Sequence, residues 1–402
     1  MRFPVRIVIS DTAKLYPPLW GGPKRIWNLF KHFPEDKFDI TYVGIDCELK
    51  KLARKYSVRK IKDNFREISS ALPAHHLPWY VFEKKVLKNT TFDIFTYLFM
   101  NTDREFKSIL NAPKQDIFVG SHPWAFPCLG KNSSRLVIYD AHNCEYLLMR
   151  QILKGSWLSG LVCPLVAKIE REACAMSDII LVCSSAEKKN FIDLYGLPAD
   201  KIHVVPNGAC VRPVTETKDK LEAKEKLGMA GKKTVVFVGA YYRPNIEALN
   251  FIARELAPYL EEYHFLLAGT AADSLHHAGG RRNITLFGGV NDVKLEQILQ
   301  AADIAVNPMF NGSGVNIKML DYMSYGLPVV TTECGARGIE VSGSCPFIVS
   351  APEGFALNIK KLSFDEQLCR RLSRDGRALI AQRYDWQTIS SRLEAVIEGS
   401  MK

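Results

Sequence analysis

The sequence predicts an α/β protein of two doubly wound domains, each a parallel sheet wrapped by crossover helices. Three observations lead there. Short apolar runs alternate with longer stretches of helical periodicity from one end of the chain to the other. Several of those runs are continuous Val/Ile/Leu/Phe, as in strands buried on both faces of a parallel sheet. At 402 residues the chain is longer than one hydrophobic core usually organises.

In the first half, strands are expected at residues 5–9, 39–43, 116–119, 136–139, 179–183 and 202–205. In the second half they are expected at residues 234–238, 265–268, 284–287, 304–307, 329–332 and 347–349. The intervening lengths accommodate helices. Pro206, Asn207 and Gly208 form a turn signal after a strand, and a charged helical stretch follows. The first domain is therefore set at residues 1–208 and the second at 209–385. A final helix spans 386–402, with Asp385 as its N-cap.

Composition is that of a globular protein, 47% hydrophobic and 24% charged. This excludes a disordered or fibrous chain. The first apolar run is too short for a signal-peptide core, and the run at residues 157–167 is short and holds Pro164, so no bilayer span is expected. The ten cysteines form no C-x-x-C pair, so metal-site spacing is absent, no metal or other cofactor is expected, and reduced thiols in the cytoplasm are. The net charge of +10 favours an anionic partner. Its sharpest basic segment, LKKLARKYSVRKIKDNFR at residues 49–66, reads as a basic amphipathic helix. That helix either packs on its own domain with a solvated outer face or docks on an anionic membrane at its inner face.

Chemistry concentrates in GSGVNIKMLDYMSYGLP, residues 312–328. A strand ends at Pro308, a glycine loop follows, and a helix over 315–325 is closed by Gly326. Glycines let backbone approach a ligand, and the free amides of the helix's first turn are suited to phosphate. Lys318 adds a cation and Asp321, at i+3, a carboxylate able to accept ribose hydroxyls. The order of these groups is that of a nucleotide-diphosphate reader.

The segment resembles the signature of the family-4-type glycosyltransferases, group 1. VVFVGAYYRPNIEALNFI, ITLFGGVNDVKLEQILQAADIAVNP, YDAHNCEYLLMRQI, DIILVCSSAEKKNF and HVVPNG resemble other parts of the same family. The resemblance implies the glycosyltransferase B fold, two Rossmann-like domains facing each other across a cleft, with the last helix packing back toward the first. It implies that the amides at Gly314, Val315 and Asn316, with Lys318, hold the donor diphosphate. It also implies donor contacts from Gly239, Arg243, Gly288 and Val290, the last two in a nucleobase loop at 287–290. Arg243 is otherwise a solvated loop arginine. Asp321 takes the place of the family's ribose-binding glutamate. One departure stands out: Ser313 occupies a position where many members carry a glutamate beside the transferred sugar.

In the first domain, Gly21 and Gly22 open a helix well beyond the first strand, which disfavours a dinucleotide fingerprint. The resemblance makes them a glycine-rich loop near the donor, with Lys24 or Arg25 meeting phosphate or acceptor. In YDAHNCEY, His142 and Glu145 follow a strand's carboxyl end, where sites occur in such sheets. The resemblance puts His142 near the transferred sugar or acceptor, with Glu145 as the competing base and Asp140 orienting the loop. The catalytic set is thus His142, Glu145 and Ser313.

The implied activity is metal-independent, retaining hexosyl transfer from a nucleotide-diphosphate sugar to a glycan or lipid-linked acceptor, in polysaccharide or glycoconjugate synthesis, with no nucleic-acid partner. A sugar-nucleotide epimerase and a non-catalytic binding protein remain as alternatives.

Overall fold

A computed structural model describes residues 4–18, 21–46, 56–71, 74–85, 92–111, 115–130, 134–214, 216–275, 281–312, 314–341 and 343–401. The chain divides into two compact units: residues 1–206 with 389–402, and residues 207–388.

The first unit's strands are β1 (Val5–Ser10), β2 (Phe38–Asp46), β3 (Tyr56–Lys62), β4 (Phe65–Ala71), β5 (Ile117–Gly120), β6 (Leu136–Ala141), β7 (Ile179–Val182) and β8 (Ile202–Val204). They form one sheet in the order β3-β4-β2-β1-β5-β6-β7-β8. Every pairing is parallel except β3 with β4. The second unit holds β9 (Lys233–Val238), β10 (Tyr263–Ala268), β11 (Ile284–Gly288), β12 (Ile304–Asn307), β13 (Val329–Thr331) and β14 (Ile348–Val349). These pair in parallel in the order β11-β10-β9-β12-β13-β14.

The apolar runs explain the sheets. All residues of β5, β7 and β10 are buried, because helices cover both faces. In each sheet the chain doubles back beside its first strand: between β1 and β5 in one, between β9 and β12 in the other. Neighbouring loops diverge at such a reversal, and the crevice outside the carboxyl ends is where doubly wound sheets bind ligands.

Each expected strand is present, but the basic segment differs from its expectation. Residues 49–55 lie outside the described residues. From Tyr56 onward the chain is not a helix but the antiparallel hairpin β3–β4, turning at Asp63 and Asn64. The helical spacing rested on Leu49, Leu52, Ala53 and Tyr56, of which only Tyr56 is described, and it opens the strand. Val58 and Ile61 also favour a strand and Asp-Asn favours a tight turn. Lys60 and Arg59 ride on an exposed edge strand, a common guard against edge-to-edge pairing.

The last helix, Trp386–Ser400, starts where Asp385 accepts the Thr388 N–H at 3.0 Å. Its Ile389, Leu393 and Ile397 are buried, and Ser390 donates to the Leu29 carbonyl at 2.6 Å. No helix among the described residues is long and apolar enough to cross a membrane.

Candidate functional site

At the reversal in the second sheet, the loop after β12 leads into the helix Ile317–Ser324. The helix begins two residues later than its spacing predicts. Gly314, Val315 and Asn316 therefore form the approach to its first turn rather than the turn itself. Gly312 and Gly314 have φ of 132° and 68°, a region that side chains with a Cβ rarely adopt. Arg337 fixes this loop, its Nη2 donating to the Gly312 carbonyl at 2.6 Å and its Nε to that of Gly314 at 3.4 Å. On the other side Asn311 donates to Glu247, which also pairs with Arg243 at 3.0 Å. Arg243 opens the helix Arg243–Phe251 after β9, and its side chain is largely solvent-exposed. Ser313 lies outside the described residues.

Lys318 points inward from the helix's first turn. Its ammonium donates to Asn245 Oδ1 at 2.6 Å and lies 4.3 Å from the centre of the Phe237 ring. Among the described residues no carboxylate pairs with it. Burial alone pushes its pKa down from 10.5 to about 7. A cation held in this way, beside a glycine loop at a sheet reversal, has the chemistry to receive an anion. Asp321 is half-buried one turn further on. Between them the helix is anchored to β9, where the Val238 N–H donates to the Tyr322 hydroxyl at 2.8 Å.

Three glycines bring the carboxyl ends of β9, β10 and β11 into close contact. The Gly269 N–H donates to the Gly288 carbonyl at 2.7 Å, and the Ala271 N–H to that of Gly239 at 3.0 Å. Gly269 has φ of 93°, and a Cβ there would sit 2.2 Å from the Gly239 oxygen. Gly269→Ala is expected to destabilise the second unit by about 2–4 kcal/mol, read as a lower urea midpoint, because strain and overpacking add. Gly288, the last residue of β11, and Val290, on the loop after it, are half-buried.

At the reversal in the first sheet a second constellation forms. Ser10 of β1 is level with Gly120 of β5, so Asp11 and His122 emerge side by side. Asp11 Oδ1 lies 2.7 Å from His122 Nδ1. His122 is the sole non-glycine residue with positive φ among those described, at 106°, and such strain concentrates at functional sites. Its ring lies 4.5 Å from that of His142, centre to centre, and its Nε2 is 3.9 Å from Glu145 Oε1. His142 Nε2 in turn meets Asp140 Oδ2 at 3.2 Å. Gly22 opens the helix Gly21–Phe30 so close by that a Cβ on it would touch the His142 ring at 3.5 Å.

The electrostatics separate the two sides of this pair. Burial first, then the neighbouring His122, lowers the His142 pKa, with Asp140 opposing both. The ring is therefore neutral at pH 7. Burial works to raise the Asp140 carboxyl, but the Arg25 guanidinium and the His142 ring outweigh it and hold it well below the usual carboxylate range. Arg25 is 1% exposed and pairs with Asp140 at 2.7 Å and 3.0 Å, with a further bond to the Val205 carbonyl. The expectation that Lys24 or Arg25 meets phosphate or acceptor does not hold for Arg25, whose guanidinium is spent on Asp140. Glu145 is held by Glu170, whose buried carboxylate accepts the N–H groups of Glu145 and Tyr146 at 2.8 and 3.1 Å. An acceptor there satisfies the open first turn of the helix Glu145–Ile152.

Comparison with known proteins bears on both constellations. The profile described as Glycosyltransferase Family 4 matches residues 21–211, and that described as Glycosyl transferases group 1 matches residues 232–365. The chain belongs to the family 4, group 1 glycosyltransferases. A phosphatidyl-myo-inositol mannosyltransferase of Mycobacterium leprae is 27% identical to this glycosyltransferase over 203 residues, 48% of the chain and 52% of the relative. The match thus spans about half the length of that relative. Among solved structures, sucrose-phosphate synthase from Thermosynechococcus elongatus superposes with a TM-score of 0.76 at 13% identity, over 98% of each chain. Anabaena HepE in complex with UDP-glucose superposes with a TM-score of 0.69 at 16% identity, over 98% of this chain and 99% of that one. These likenesses show the glycosyltransferase B fold.

In this glycosyltransferase, Lys318 and Gly239 share one neighbourhood through Asn245, while Gly314 and Arg243 belong to the braced loop. His142, Glu145 and Gly22 gather in the first unit. Sequence reasoning missed His122, Asp11, Asn245, Arg337 and Glu170. His122 and Asp11 carry the signal that singled out His142, a polar residue just past a strand's carboxyl end.

Proposed function

We propose that this glycosyltransferase moves a hexose from a nucleotide-diphosphate sugar to a glycan or lipid-linked acceptor, in polysaccharide or glycoconjugate synthesis. The observation that carries the reading is Lys318, a half-buried cation without a carboxylate partner among the described residues, set at the head of a helix behind a glycine loop. A diphosphate completes it. As the bond from the sugar's anomeric carbon to the diphosphate breaks, the leaving oxygens gain charge, which Lys318, Arg337 and the loop amides stabilise. Asp321 is assigned to ribose, and the loop with Gly288 and Val290 to the base. The first unit supplies acceptor chemistry: His142 and His122, each oriented by an aspartate, can bind sugar hydroxyls or accept a proton, with Glu145 beside them. The names of the similar proteins, a mannosyltransferase and a sucrose-phosphate synthase, favour transfer over epimerisation.

Metal independence belongs to the same reading, because side-chain cations and amides supply the positive charge. Retention of anomeric configuration rests on the likeness of residues 312–328 to the family-4 signature. Buried free thiols at Cys128, Cys144, Cys163, Cys174 and Cys183 fit a reducing compartment, and we place the enzyme in the cytoplasm. The test is a thermal-shift screen against UDP-, GDP-, ADP- and TDP-sugars, followed by turnover with the binder. Nucleotide release that requires acceptor, resists EDTA and yields product of the donor's anomeric configuration is expected. Nucleotide released or sugar epimerised without acceptor would sink the transferase reading.

A further inference from the structure

The helices Glu145–Ile152 and Ser159–Met176 make a hairpin whose inner side is built into the first unit's core through Met149, Val162, Val166 and Ile169. Its tip is of another character. Trp157, in the connection, is 82% exposed and Leu161 is 70% exposed, with Ile152 and Leu165 also standing out of the surface. Leu161 and Leu165 lie at i and i+4, and the same stripe continues at i+7 and i+11 as Lys168 and Glu172, which pair at 3.9 Å. The stripe is thus apolar at the tip, charged in its middle, and ends at the half-exposed Met176. Core packing does not account for it, since the helix already buries its opposite face. From Tyr146 to Ile169 the sequence has no acidic residue, while Arg150, Lys154 and Lys168 are exposed cations.

We propose that this hairpin tip docks on an anionic lipid surface. The composition matches that environment in layers. Leucine and isoleucine enter the acyl boundary, the amphipathic indole sits at headgroup level, and lysine and arginine reach lipid phosphates along their apolar stems. An exposed apolar cluster whose nearest charged neighbours, Arg150 and Lys154, are cations, on a chain of net charge +10, fits an anionic membrane. The basic segment at residues 56–62 lacks this pairing of cations with an apolar face, being a hairpin edge.

The hairpin also connects the tip to the histidine pair. Its first residue, Glu145, lies 3.9 Å from His122, and Glu170 of the second helix holds that end in place. The first helix has eight residues, so the tip stands about 12 Å from this base. Docking would hold the histidines within reach of a lipid-borne acceptor, a consequence that rests on the transferase reading, whereas docking itself does not.

The test is co-sedimentation of the full chain with vesicles of phosphatidylcholine and phosphatidylglycerol. Binding is expected, with loss in high salt and on phosphatidylcholine alone. Trp157→Ser with Leu161→Gln should lower partitioning by about tenfold or more, and Lys154→Gln with Lys168→Gln by about fivefold per cation. Unchanged melting temperatures establish that the variants are folded, and sedimentation needs no turnover, so failure of the transferase reading stays distinguishable. The proposal is overturned if the wild type does not sediment, if the Trp157/Leu161 variant sediments equally, or if light scattering shows a dimer that this variant dissolves, which would make the tip a contact between copies.

Discussion

Lys318→Met is expected to weaken nucleotide-sugar binding by about 10- to 100-fold in calorimetry, the range for losing a charge-assisted bond to phosphate. The same measurement made against pH tests the cause. In the free protein, burial lowers the Lys318 pKa to about 7. A bound diphosphate favours the ammonium and raises that value. The complex therefore takes up a proton above pH 7, and affinity falls as pH rises through 7, by up to about tenfold per unit. Below pH 7 this dependence levels off, since the free lysine is already charged. Titrations in two buffers of different ionisation enthalpy should show the uptake in the wild type and none in Lys318→Met. The ligand-free fold should not lose stability, because a charge held away from water opposes folding. A drop in melting temperature with unchanged affinity would make Lys318 a packing residue and remove the donor assignment.

Arg25→Met is expected to produce the largest stability loss. It strands the Asp140 carboxylate, 0% exposed, in a site built around the guanidinium. Breaking a buried pair from one side costs about 3–5 kcal/mol, and for a unit of this size that lowers the melting temperature by on the order of 10 °C. Asp140→Leu added to Arg25→Met removes the orphaned charge and should restore much of the loss. The double variant should remain inactive if His142 depends on Asp140 for its orientation. If the single variant melts like the wild type, the pair is not what holds β6 to the helix Gly21–Phe30.

The sheets were legible because a buried parallel strand must be almost wholly apolar, and runs such as Ile179–Val182 have no other reading. The β3–β4 hairpin was not. Its apolar residues are sparse, its outer strand is exposed, and lysines every few positions imitate a helix face. That Lys318 and Asp321 stand one turn apart on one helix was legible because their spacing is local. Asp11 and His122 stand far apart in sequence and meet only through the register of β1 on β5. Asn245 reaches Lys318 for the same kind of reason, across β9 and β12. Arg25 was misread because its partner arrives from another strand, and a cation next to a glycine turn looks solvated until the fold closes over it.

The first unit is not sequence-continuous, and this matters before the protein exists as a whole. Ile389, Leu393 and Ile397 complete its packing, and Lys37 pairs with Glu394 and Glu398 at 3.1 and 3.0 Å. During synthesis, residues 1–206 leave the ribosome long before those partners. The second unit can close on itself while the first still lacks these residues and the Ser390 bond to the Leu29 carbonyl. Residues 389–402, made long after residues 1–206, are thus the ones that finish that unit. A stop near residue 385 would remove residues 389–402 and leave the first unit open to proteolysis.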